Sequence, residues 1–161
     1  MLQTIPAALF ALTLALSANT HAAGAADAHH GHEQGGATET LRLNDGKPWP
    51  TDAPLRQAMG EINQALAGAL PAIHRQGFGD GEYRALAATV QERVAFMVDH
   101  CQLDAQADAM LHLVIAELLA GAEIMDGKTA SPRHDGALRV RAALKAYGKY
   151  FRHPGWVTAR G

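Results

Sequence analysis

Residues 97–119, MVDHCQLDAQADAMLHLVIAELL, decide the fold of this chain. Apolar side chains recur at helical spacing on both sides of a tight connection, Gln102-Leu103-Asp104. Asp104 suits the N-cap of the helix that follows this connection, because its carboxylate can accept hydrogen bonds from the unpaired amides of the first turn. The stretch therefore predicts the end of one helix, a short turn and the start of its neighbour.

The same periodicity continues outward from this turn into two more helices. Thr51 or Asp52 is expected to cap the first helix, and Pro71 is expected to kink it or end it near Leu70. The other three helices are predicted over residues 82–101, 104–126 and 136–152, separated by glycine- and proline-bearing loops at 76–81 and 126–135. Short loops between amphipathic helices predict an all-α, antiparallel up-down-up-down four-helix bundle over residues 41–157.

One stripe of each helix is expected to form the core. The predicted core residues are Leu55, Met59, Ile62, Leu66, Ala69, Ile73, Leu86, Val90, Val94, Met97, Cys101, Ala107, Leu111, Val114, Leu118, Met125, Val140, Leu144, Tyr147 and Phe151. A domain of this size can bury such a core without disulfides.

Charge is divided unevenly between the last two helices. Residues 104–126 carry five acids and no Lys or Arg, whereas residues 136–161 carry six Lys or Arg and no acid. Opposite charges on neighbouring helices would favour their pairing modestly, and two solvated faces explain the pattern equally well. The net charge of −2 gives no indication of nucleic acid as a partner.

The N-terminal region has the composition of a secretory signal peptide, predicted over residues 1–25. An apolar run at 5–18 is too short to span a bilayer, and small residues follow it. Cleavage is expected after Ala22, Ala23, Ala25 or Ala26. The chain is therefore predicted to be exported to the periplasm, with no membrane association beyond export.

Residues 26–40 are predicted to form a disordered, histidine-bearing linker, because they contain several glycines and almost no large apolar side chain. His29, His30 and His32 could gather a transition metal through their imidazoles. Cleavage after Ala26 would add a second arrangement, in which the new amino-terminus and His29 form a square-planar Cu(II) or Ni(II) site. A solvated linker without a selected role is the plain alternative.

Soft metal ligands converge at one end of the predicted bundle. At a rise of about 1.5 Å per residue, Met59 and Met97 lie roughly one turn in from the same end, with Cys101 on the face of Met97 and His112 about one turn deeper. Thioether, thiol and imidazole together suit copper, Cu(I) above all. Each residue also has a plain explanation, as core filling for the sulfur residues and as a surface position for the histidine.

Two segments of the bundle resemble a known family. Residues 55–59, LRQAM, together with Ala146-Tyr147, Tyr150 and Arg152, are similar to the first and last helices of the small soluble periplasmic b-type cytochromes. That resemblance implies haem held by Met59 and by a histidine on the last helix. The histidine position is Gly148 here.

The chain also resembles small exported bacterial proteins of unassigned role, in its Leu-Asn-Asp-Gly before the first helix and its His-Pro-Gly-Trp after the last. That likeness implies a fold and a compartment.

Three functions are compatible with the sequence, and none is enzymatic. The leading prediction is a periplasmic binding protein for a transition metal, copper favoured. The second is a haem-binding or electron-transfer bundle of altered ligation. The third is a structural or interaction module, dimeric through Cys101 or through bundle packing. No enzyme is predicted, because Glu117 and Glu123 lack the Glu-x-x-His companion of carboxylate-bridged metal sites.

Overall fold

A computed structural model describes residues 40–160, so the predicted signal peptide and almost all of the histidine-bearing linker lie outside the described residues. The described chain is helical. Its four helices are α1 (Ala53–His74), α2 (Asp80–His100), α3 (Ala105–Asp126) and α4 (Arg133–Tyr150). Residues 40–160 contain no β-strand, only isolated bridges. The all-α prediction with four helices is confirmed.

Helix α1 begins where a carboxylate can satisfy its first turn. Asp52 is the N-cap, and its Oδ1 accepts a hydrogen bond of 2.9 Å from the amide of Leu55. Of the two effects predicted for Pro71, an end of the helix near Leu70 is wrong, since α1 continues through Pro71 to His74. The ring of Pro71 lies on the exposed side, and the extra turn buries Ile73 in the core. That burial offsets the hydrogen bond that a proline cannot donate.

Helices α2 and α3 begin with acidic caps of two kinds. Glu82 accepts a 2.7 Å hydrogen bond from the amide of Gly79, so a side chain in the first turn closes the start of α2. Asp104 caps α3 as predicted, accepting from the amides of Gln106 and Ala107. Gly127 then ends α3 in the left-handed conformation that favours glycine.

Helix α4 is shifted from its predicted limits at both ends. It begins at Arg133, which follows Pro132 and pairs with Asp80 across 3.2 Å. It ends at Tyr150, where the chain becomes extended and pairs with the segment that precedes α1. The amide of Trp49 donates to the carbonyl of Tyr150, and the amide of Arg152 donates to the carbonyl of Trp49, both at 2.8 Å.

All four helices contribute to one hydrophobic core. Every residue of the predicted stripes is buried except Cys101, which is half-buried at the end of α2. No charged side chain within residues 40–160 is fully buried. Helices adjacent in sequence pack together, and α4 also contacts α1 and α2. No helix in this part of the chain is both long and apolar enough to cross a membrane.

Two glycines lie where α3 and α4 approach each other closely. A methyl group on Gly121 would lie 2.7 Å from the Val140 side chain, and one on Gly136 would lie 2.5 Å from the carbonyl oxygen of Gly121. The two backbones therefore touch at a point where only glycine fits. Nearby, Arg139 of α4 and Glu117 of α3 form a bidentate ion pair at 2.8 and 2.9 Å.

We expect Gly136→Ala to lower the free energy of unfolding by roughly 1–3 kcal/mol, because the added methyl group overpacks the contact between α3 and α4. Gly68→Ala is the matched control. Nothing lies within 4 Å of the position that its methyl group would take, so it should raise stability by about 0.5–1 kcal/mol through helix propensity. Chemical denaturation measures both. Equal effects of the two substitutions would contradict this packing.

Candidate functional site

The candidate site lies where the start of α1 meets the turn between α2 and α3; we call this end of the molecule the pole. Asp52 joins the two segments: its Oδ1 caps α1, and its Oδ2 accepts a 2.7 Å hydrogen bond from the amide of Gln102. The hydroxyl of Thr51 donates to the carbonyl of Arg152, which adds the chain just after α4. One end of each helix, or the chain next to it, therefore lies at the pole.

Methionines lie just below this pole on three helices. Met59 and Met97 are fully buried, as predicted. From the observed helix ends, they lie about 9 Å and about 5 Å in from the pole. Met110 of α3 is also fully buried, about 8 Å in, and was not among the predicted ligands. Its spacing, three residues after Ala107 and four before Val114, places it on the predicted stripe of this helix and would have pointed to it.

Cys101 is the C-cap of α2, and its amide donates to the carbonyl of Met97. Burial raises the pKa of its thiol to about 12. The negative charge of Asp52, a hydrogen bond to the same carboxylate and the charge of Asp108 add to that shift. Cys101 is therefore a protonated thiol at neutral pH. The two carboxylates that disfavour its thiolate would favour a cation in the same place.

His112 does not join the buried methionines. Its side chain is 62% exposed, and its Nδ1 lies 2.9 Å from the carbonyl oxygen of Asp108. Because a carbonyl can only accept, Nδ1 is the protonated nitrogen of the neutral ring. His100 is also exposed and stacks on Phe96. Neither histidine adds an imidazole to the core of the pole.

Aromatic rings close the pole from the side of α4. The hydroxyl of buried Tyr147 is hydrogen-bonded to Nδ1 of His153 at 3.0 Å, and the Tyr147 ring contacts Phe151 and Trp156. Burial raises the pKa of Tyr147, while burial and the charge of Arg56 lower the pKa of His153. The pair is therefore neutral at pH 7. His153 packs against Tyr147.

Within residues 40–160, no three His, Cys, Asp or Glu side chains lie together in a metal-binding arrangement. A metal held at the pole would therefore depend on methionine thioethers, which donate without losing a proton. The other predicted ligands, His29, His30 and His32, lie outside the described residues.

The position that corresponds to the haem histidine of the cytochrome bundles, Gly148, is exposed. Gly148 lines a surface groove on α4, and the indole of Trp156 packs directly against its α-carbon. Met59 lies in the core. A ligand side chain at position 148 would meet Trp156.

Comparison with known proteins gives no relative to set beside this site. The chain matches no protein-family model, no curated protein and no solved structure.

We expect Cys101 to react slowly with iodoacetamide at pH 8, since the thiolate is the nucleophile and the pKa is about 12. Asp52→Asn should lower that pKa and speed the reaction, because it removes a nearby negative charge while keeping a good N-cap residue. Rates measured by mass spectrometry between pH 7 and about 11 test this.

Asp104→Asn is the control for this experiment. It removes a carboxylate that caps α3 and that does not contribute to the pKa shift of Cys101. Equal acceleration in both variants would mean that loosening of the pole, and not the charge of Asp52, controls the thiol.

Proposed function

We propose that the chain is a periplasmic, antiparallel up-down-up-down four-helix bundle that binds a transition metal, with Cu(I) favoured, and catalyses no reaction. Contacts at both ends support the topology. The hydrogen bond from Gln102 to Asp52 joins the end of α2 to the start of α1. At the opposite end, Arg133 pairs with Asp80 and donates to the carbonyl of Met125, which brings the start of α4 to the start of α2 and the end of α3.

The observation that carries the metal proposal is the sulfur content of the pole. Met59, Met97 and Met110 come from three different helices and are buried at similar depths below it, and half-buried Cys101 lies at the end of α2. Thioethers and thiols are soft ligands that select Cu(I) over harder cations. Three neutral thioethers and one thiol that loses its proton on binding would give a neutral complex with Cu(I).

The charges around the pole favour a cation there. Asp52 and Asp108 act electrostatically on Cys101, so both carboxylates would also act on a metal bound to its sulfur. Displacement of the thiol proton by the metal would release that proton to solvent, which makes the affinity depend on pH. His112 is left out of the proposed pole site, because its ring is exposed and lies on the carbonyl of Asp108.

In this proposal the histidine-bearing linker captures ions and the pole holds them. His29, His30 and His32 are borderline ligands in a glycine-rich segment, and their role rests on the sequence alone. Signal-directed export, which places the protein in the periplasm, rests on the N-terminal residues in the same way.

A structural or interaction module is the second candidate, and full burial of the methionines supports it. Methionine fills irregular core space well, and a protonated Cys101 is inert. A haem protein is the third. It predicts a Soret band in the purified protein, and a colourless preparation would exclude it.

We expect the full chain to bind one Cu(I) and the double variant Met59→Leu, Met97→Leu to bind it at least about tenfold more weakly, since leucine keeps the volume and removes the sulfur. Met125→Leu is the matched control, because Met125 is equally buried but lies at the end of α3 away from the pole. Competition with a chromogenic Cu(I) chelator measures each affinity.

The same titration at several pH values tests the part played by Cys101. Below its pKa of about 12, the affinity should rise about tenfold per pH unit, because binding releases one proton. Cys101→Ser should remove this slope. Equal copper affinity in the wild type and all variants would overturn the pole site and leave the structural module.

A further inference from the structure

A groove of about 630 Å³ lies between the outer face of α4 and the C-terminal segment, residues 156–160. The wall formed by the C-terminal segment is held by hydrogen bonds. The side chain of Asn63 donates to the carbonyl of Val157 at 3.0 Å and accepts from the amide of Ala159 at 2.7 Å, while Arg141 donates to the carbonyl of Ala159. The volume lies in the range of small-molecule sites, and the fixed walls mean that the groove is formed in advance.

The groove is cationic. Arg141, Lys145 and Lys149 follow one another at four-residue spacing and so line one face of α4, and Arg160 lies in the same lining. No described carboxylate forms an ion pair with any of these four side chains, although Arg139, close by on the same helix, is paired with Glu117. An anion in the groove would gain from all four charges.

The groove also has an apolar part. Its lining includes the edge of Trp156, together with Leu138 and Val157. These last two are 41% and 60% exposed, and they are two of the three large apolar side chains that are exposed within residues 40–160. Apolar surface beside a row of cations suits a ligand with an anionic head and an apolar body.

We propose that this groove binds a small organic phosphate, with the phosphate among Arg141, Lys145, Lys149 and Arg160 and its apolar part against Trp156 and Val157. Arginine can hold two phosphate oxygens at once, and lysine adds a point charge. The open side of the groove leaves room for the body of the ligand. This site is separate from the pole and does not depend on copper.

Calorimetric titration of the full chain with n-octyl phosphate, kept below its micelle concentration, tests the proposal. We expect saturable binding that weakens as salt is added, and a change in the fluorescence of Trp156. The variant Lys145→Gln, Lys149→Gln should bind about tenfold more weakly. The control Lys47→Gln, Lys128→Gln removes the same charge from exposed lysines outside the groove and should bind as the wild type does.

Three results would overturn the proposal. The first is equal affinity in the two double variants, which would mean attraction by net charge alone. The second is binding of inorganic phosphate as tight as that of octyl phosphate, since the apolar lining would then contribute nothing. The third is binding to phosphatidylglycerol vesicles without binding to monomeric octyl phosphate, which would make the surface a membrane contact. Met59→Leu should leave octyl phosphate binding unchanged, so this site and the copper site can fail separately.

Discussion

The carboxylate of Asp52 fixes the geometry on which the pole depends. One of its oxygens caps α1, and the other holds the amide of Gln102, fifty residues further along the chain. The same group acts on the thiol of Cys101. A single side chain thus caps α1, holds the turn after α2 beside it and adds to the burial that raises the pKa of Cys101. Without it, two backbone amides at the surface of the pole would lose their acceptor.

The C-terminal segment connects the two candidate sites. One side of Trp156 contacts Tyr147, whose hydroxyl is bonded to His153 at the pole. The same indole packs on Gly148 and lines the cationic groove. Soft, neutral ligands with nearby acids therefore lie at one end of the chain's core, and a row of cations lies on the outer face of α4. The two environments suit ligands of opposite charge.

Features that follow from periodic burial could be predicted from the sequence. Features that depend on contacts between segments distant in sequence could not. The stripes of α1 to α4 follow from helical spacing, so the buried positions of Met59 and Met97 were predictable. The choice between a kink and an end of α1 at Pro71 was not predictable, because it depends on how Ile73 packs against other helices. The position of His153 depends on its hydrogen bond to Tyr147. The cationic groove depends on the C-terminal segment, which Asn63 of α1 holds in place. Sequence spacing carries no signal for such pairings.

X-ray absorption at the copper edge of the full chain loaded with one equivalent of Cu(I) tests the central claim most directly. The account predicts a first shell of sulfur scatterers, since the methionines at the pole and Cys101 offer softer ligands than any imidazole in the chain. A first shell made of nitrogen would contradict it, because the copper would then lie on the histidines and the sulfur atoms below Asp52 would serve only to fill the core.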